Sequence, residues 1–419
     1  MTNNTEDTVL GNNTVLVNDT AAASIPLPAG FRAAGAACGI KGDPSKLDLA
    51  LFVADRPSTA VGVFTSNLVC GAPVKISRSR LPRATARGVI VNSGNANACT
   101  GNQGDEDARW MTAEVARGLD CAAEDVLVCS TGVIGRFLPR EKLTAGIPAV
   151  TSRLTASPEA FRDAATAMMT TDTFPKLATR SRRVGAAERR VSGVAKGAAM
   201  IAPNMATMLA VLMTDAALAP KQADSILRHA VERSFNSISV DGHMSTSDTV
   251  LLFAANPRDA QPLAERDFAT VQGMVDEVAI ELAQAIIRDA EGADHFITLE
   301  VRGAKTRDDA MRIARAIADS ALVKTAIAGG DPNWGRIVSA AGYAGVPFRE
   351  EDLTLKVNGV LLYRSGVPTN FDAKKLSHDL KSNRDVLIEL ELTLGNESLR
   401  FWTSDLTAEY VRLNADYTT

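Results

Sequence analysis

Strand, helix and strand follow one another between residues 87 and 130, and this alternation constrains the fold more than any other feature. RGVIVN (87–92) and DVLVCS (125–130) are short apolar runs, each ending in small polar residues. Between them, Ala108, Met111, Val115 and Leu119 recur at helical spacing and share one face. The alternation continues downstream. Ser157-Pro158 supplies an N-cap and a first-turn proline to a helix that faces Phe161, Ala165 and Met168 inward. Pro220 opens another helix, which carries Ile226, Leu227, Ala230 and Val231. The longest is predicted from about Glu265 to Asp289, striped by Phe268, Val271, Val275, Val278, Leu282 and Ile286. A further helix is predicted over 306–318. The last quarter changes period: Asn358-Gly359 within LTLKVNGVLLY marks a hairpin turn, and VLIELELTL alternates. The fold class that follows is α/β, with mixed sheets layered with helices. At 419 residues, more than one domain is expected.

Several classes of function are disfavoured. A net charge of −4 and 5% aromatic residues give neither a basic face for nucleic acid nor a stacking platform for bases. No run reaches the roughly 18 apolar residues of a membrane span. No basic segment followed by an apolar one opens the chain, so a secretory signal is not expected. Residues 1–24, rich in Asn, Thr and Asp, read as a disordered tail. The five cysteines, at 38, 70, 99, 121 and 129, are odd in number and form no CxxC pair. Such thiols suit a reducing, cytoplasmic setting, and Cys129 reads as a small buried apolar residue. His229, His243, His295 and His378 form no HExxH pair, so no metal and no bound cofactor are expected. The arginine-rich run 179–190 reads as a solvated loop or strand edge.

One stretch resists a packing explanation. KGAAMIAPNMATML (196–209) places Thr207 between Ala206 and Met208, where the chain turns strongly apolar. A β-branched strand residue would account for it on composition alone. Yet Pro203-Asn204 favours a tight turn just upstream, and KGAAM is small enough for close backbone approach. A threonine whose own α-amine is freed becomes a nucleophile with its base attached. Freeing it requires breaking the Ala206–Thr207 bond, which the hydroxyl itself could attack.

The segment resembles the self-processing motif of the bifunctional ornithine acetyltransferase/N-acetylglutamate synthase family, in which the chain is cut before the equivalent threonine. The resemblance extends over nearly the whole chain from about residue 25. It includes VNSGNANACTG (91–101), STGVIG (130–135), MMTTDT (168–173), DGHMSTSDT (241–249), DPNWGR (331–336) and VRLNADYTT (411–419), in order.

The resemblance implies a fold related to self-processing aminopeptidases. It implies an α chain (25–206) and a β chain (207–419), assembled as a heterotetramer of two of each. Thr207 is then the nucleophile, with Thr131 and Gly132 as the oxyanion hole. The implied substrate contacts are Thr170, Lys196, Thr207, Glu291, Asn414 and Thr419. The implied reaction moves acetyl from N-acetylornithine to glutamate in arginine biosynthesis, and acetyl-CoA is a further donor to be considered. Lys196 suits a substrate carboxylate and Glu291 the ornithine ammonium. DPNWGR receives no catalytic role, and NSGNAN is expected near the site.

The sequence departs from the family pattern at Ala199 in KGAAM, at His243 in DGHMST, and at Asp294-His295 after EGA. These changes bear on local electrostatics and substrate preference. Three alternatives remain at this stage: a self-processing amidase or aminopeptidase with water as acceptor, a paralogue acting on another amino acid, and a non-catalytic binding protein.

Overall fold

The computed structural model describes residues 24–201, 208–255 and 263–416. Ala206, Thr207, Thr419 and residues 1–23 of the expected tail lie outside the described residues. The strands are β1 (Phe31–Ala36), β2 (Leu49–Phe64), β3 (Arg83–Asn95), β4 (Val126–Val133), β5 (Lys176–Val184), β6 (Ala187–Lys196), β7 (Leu209–Thr214), β8 (Ile238–Ser239) and β9 (Thr249–Ala254). They continue with β10 (Phe296–Ala304), β11 (Leu353–Val357), β12 (Val360–Arg364), β13 (Val367–Pro368), β14 (Asp385–Leu392) and β15 (Glu397–Ser404).

Among the described residues these strands form two mixed sheets, as the alternation of strands and helices led one to expect. The first runs β4-β3-β2-β9-β7-β6-β5, with β1 also paired to β2. Its parallel pairs are β3–β4 and β7–β9. The second runs β13-β12-β11-β14-β10-β15-β8, with β10–β14 and β15–β8 parallel.

Strand β7 shows why the first sheet is layered. All six of its residues are buried. Leu209, Val211 and Met213 enter a core that includes Phe161 and Ala165 of helix Pro158–Met168. Ala210 and Leu212 enter the core built with helices Pro220–Arg233 and Glu265–Arg288. Period two therefore serves both faces, and each fully buried aliphatic side chain contributes roughly 1.5–3 kcal/mol. Helices Ala72–Arg80, Gly101–Leu119 and Arg140–Ser152 cover the β1–β4 end.

Local signals map onto this plan. Ser157 caps its helix by accepting the Ala160 N–H at 3.2 Å. Asn358 and Gly359 both take positive φ (47° and 77°), which a two-residue hairpin turn of this hand requires. The arginine-rich run belongs to the β5–β6 hairpin, with β5 at the sheet edge. There Arg180 and Arg182 pair with Glu277 on the long helix, at side chains about a third exposed, where such pairs contribute little. Trp334 begins helix Trp334–Gly342 and stacks on Tyr363 at 5.5 Å, which is a packing role. Cys129 is buried, and burial pushes its thiol up to about 12. Among the described residues, no helix is long and apolar enough to cross a membrane.

Candidate active site

Strand β4 ends in Thr131 and Gly132, beside the end of its parallel neighbour β3, with Ser93 opposite Thr131 and Gly94 opposite Gly132. The contact is unusually close. Gly132 has φ +123°, and a Cβ there would stand 2.4 Å from the Gly94 carbonyl carbon and 2.6 Å from Asn95 N. Only glycine fits this backbone.

The asparagines of NSGNAN fix the turn. Asn92 accepts from Ser130 Oγ at 2.6 Å and donates to Asn95 O at 2.8 Å. Asn95 donates to the carbonyls of Arg136 and Phe137 at 3.2 and 3.0 Å, which lie just past STGVIG. The loop thus holds the Thr131–Gly132 backbone in place, a role its composition alone did not specify.

Across the cleft, Lys196 closes β6 and is 3% exposed. Its Nζ lies 3.4 Å from Thr170 Oγ1. Burial lowers the Lys196 ammonium, against the opposing pull of Asp172, Asp248 and Glu291. Asp172 is the hub behind this pair. Its Oδ1 accepts from Lys176 Nζ and from Gly197 N–H, each at 2.6 Å, and its Oδ2 accepts from Thr170 N–H at 3.0 Å. Burial alone would raise its carboxyl. The Lys176 and Lys196 ammoniums and these hydrogen bonds outweigh burial and hold it well below the usual carboxylate range.

The far wall comes from the two ends of the second half. Glu291, just past the long helix, donates its N–H to Ala198 O at 2.9 Å, tying it to KGAA. Its Oε2 accepts from Asn414 Nδ2 at 3.1 Å. Asn414 lies on helix Ala408–Asp416, which docks here through polar side chains while its Val411 stays exposed. Tyr410 on that helix donates to Asp241 at 3.1 Å, and Asp241 accepts the N–H groups of Met200 and Ile201 at 2.6 and 2.9 Å. Gly292 admits this approach, since a Cβ there would sit 2.5 Å from Tyr410 N.

These groups share one cleft of about 320 Å³, within the range of small-molecule sites. Thr131, Gly132, Thr170, Lys196, Glu291 and Asn414 all line it. A larger cleft of about 520 Å³, near Phe64, Arg78, Leu81 and Arg228, contains none of the residues anticipated from the sequence. Its size does not outweigh the convergence of polar groups in the smaller one. Sequence reasoning did not single out Asp172, Asp241, Asp248 or Tyr410. Three of the four lie inside the quoted blocks MMTTDT and DGHMSTSDT, so the blocks pointed to them without giving each a task.

The cleft brings together a buried cation, the carboxylates of Asp241 and Glu291, and the Thr131 hydroxyl beside the Gly132 backbone. Such a set can bind a zwitterionic amino acid and receive a developing oxyanion.

Comparison with known proteins is consistent over most of the chain. The model of the ArgJ family matches residues 32–419. The chain is 46% identical over 396 residues to the arginine biosynthesis bifunctional protein ArgJ of Rhodopirellula baltica, covering 94% of this chain and 96% of that protein. It is 43% identical to the protein of the same name from Geobacter sulfurreducens, covering 93% and 99%. A solved structure of ornithine acetyltransferase from Mycobacterium tuberculosis, complexed with ornithine, is similar at 38% identity and a TM-score of 0.38. It covers 43% of this chain and 95% of that one.

Proposed function

This chain belongs to the ArgJ family, and from that premise we propose that it is the acetyltransferase that carries acetyl from N-acetylornithine to glutamate in arginine biosynthesis, with Thr207 as its nucleophile. The chain cuts itself between Ala206 and Thr207 into an α chain (25–206, after the tail) and a β chain (207–419). The freed α-amine, with an ordinary pKa of about 7.7–8.0, serves as the base for the hydroxyl beside it.

Thr207 Oγ attacks the acetyl carbonyl while its amine takes the proton. The Thr131 hydroxyl and the Gly132 N–H receive the oxyanion. Collapse expels ornithine, whose nitrogen leaves with that proton. The glutamate amine then attacks the acetyl-threonine and departs as N-acetylglutamate. Lys196 and Thr170 receive the α-carboxylate shared by both amino acids; Glu291, Asn414 and Thr419 meet the variable end. Acetyl-CoA as an additional donor would enter at the same acetyl-threonine. The working assembly is two α and two β chains in the cytoplasm.

One observation carries this reading. Six residues drawn from β4, the 170 loop, β6, the end of the long helix and the C-terminal helix line a single cleft. Upstream of Thr207, Met200 lines the cleft, and downstream the Met208 N–H donates to Asp248, the residue after the lining residue Ser247, which supports this reading.

Denaturing electrophoresis with N-terminal sequencing tests it. The 44.3 kDa chain should give two bands, one beginning TMLAVL, and Thr207→Ala should give one intact, inactive band. An active wild-type protein that stays intact refutes the proposal.

A further inference from the structure

Asp248 stands at the head of β9 and is 1% exposed. Its Oδ1 accepts the Met208 N–H at 3.0 Å. Its Oδ2 is buried with no hydrogen-bond partner among the described residues. The surrounding backbone is tied on both sides, with Thr65 N–H donating to Asp248 O at 2.9 Å and Thr249 N–H to Met208 O at 3.1 Å. A half-satisfied buried carboxylate is costly. An asparagine would make the same bond to Met208 N–H without that cost, so structure alone does not call for an acid here. The other buried carboxylate nearby, Asp172, differs in having both oxygens occupied.

Asp248 is hydrogen-bonded to the residue that follows Thr207 in the chain. Met208 N is bonded to the Thr207 carbonyl carbon. The Thr207 nitrogen is three covalent bonds from Met208 N and Oγ is four, so both lie within about 5 Å of it. Oδ1 is already at 3.0 Å from that atom.

We propose that Asp248 carries the proton in self-cleavage, a role that rests on the Thr207 reading above. Oγ–H gives its proton to Asp248 Oδ2 as Oγ bonds to the Ala206 carbonyl carbon. Asp248 then passes the proton to the Thr207 nitrogen as the carbon–nitrogen bond breaks, leaving an Ala206 ester and a free amine. Water adds to the ester, releasing the Ala206 carboxylate and restoring the Thr207 hydroxyl. One water is consumed and Asp248 ends as it began. Its environment suits a shuttle. Burial pushes its carboxyl well above the ordinary range, against the Met208 N–H, the Lys196 ammonium, the Thr65 hydroxyl and the Ser245 backbone, and a raised carboxyl suits proton transfer.

The test is the rate at which freshly made full-length chain converts to two chains, followed by intact mass and denaturing electrophoresis. Asp248→Asn retains the bond to Met208 N–H, so a purely structural role would leave cleavage at the wild-type rate. The proton role predicts slowing by about a hundredfold or more, in a precursor that melts no lower than the uncleaved Thr207→Ala chain. A second pair guards against misfolding. Asp248→Glu and Asp248→Gln distort the site alike, and only the carboxylic acid should cleave. Wild-type-like cleavage in Asp248→Asn, or equal rates in the Glu and Gln variants, overturns the role of Asp248 alone. An uncleaved but active wild-type chain overturns the Thr207 reading with it.

Discussion

Replacing Gly132 by alanine should damage stability and catalysis together, whereas the same change three residues on, at Gly135, should damage neither severely. At Gly132 the new methyl meets the Gly94 carbonyl carbon at 2.4 Å and Asn95 N at 2.6 Å. Ordinary contact begins a full ångström farther out, and the obstacle is backbone, so strands β3 and β4 must part. The φ of +123° adds strain for any L side chain, about 1–3 kcal/mol. Overpacking adds a further 1–3 kcal/mol or so. The sum, about 2–6 kcal/mol, corresponds in a chain of 419 residues to a fall in Tm on the order of 2–7 °C. Moving the Gly132 N–H off the oxyanion position should cost about 10²–10³ in kcat. Gly135 has φ +78° but nothing within 4 Å of a built Cβ; its alanine variant should lose about 1–2 kcal/mol and keep its turnover. Calorimetry and an assay of acetyl transfer from N-acetylornithine to glutamate read both quantities. A Gly132→Ala protein that melts within a degree of wild type and turns over within threefold would falsify the proposed oxyanion geometry.

Two further outcomes follow from the buried charges. Lys176→Met leaves Asp172 and Asp289 without the ammonium they share at 2.6 Å each, and a loss of about 3–5 kcal/mol is expected in a urea titration; a neutral result would mean that Lys196 and the backbone donors suffice. The Asp172 pKa is depressed in the folded state, so its stabilisation is complete above the unfolded value and drains away as pH falls toward the folded one. His295 runs the other way. The hydrogen bond that its Nδ1–H donates to Asp405 at 2.6 Å raises its pKa against the lowering effect of burial, with Leu380 O and Asp294 adding to the rise. Its contribution is therefore complete below the unfolded value near 6.5 and is lost as pH rises through the folded one. His295→Gln should flatten that part of the curve of Tm against pH; an unchanged slope would show that another group titrates there.

The alternation of strands and helices was legible because backbone geometry imposes it locally. Ala108, Met111 and Val115 share a face through the 3.6-residue period, and β7 divides its side chains between two cores through a period of two. The Asn358-Gly359 turn is likewise written in two residues. The cleft's membership came from motif resemblance rather than from periodicity, because no local rule brings Thr131 to Asn414 or Lys196 to Thr170.

What tertiary structure alone decided is the environment of each charge. Asp172 and Asp248 are the same residue type, each set in a run of small polar residues. Asp172 is surrounded by two lysines and two N–H donors, while Asp248 keeps one oxygen idle beside Met208. That difference arises from pairings across β6, β7 and β9 and from a lysine's reach through the core. Desolvation and Coulomb fields depend on distance in space, and sequence spacing does not contain it. The sequence by itself therefore named the candidate nucleophile and the elements around it, and the folded chain determined which carboxylate is free to move a proton.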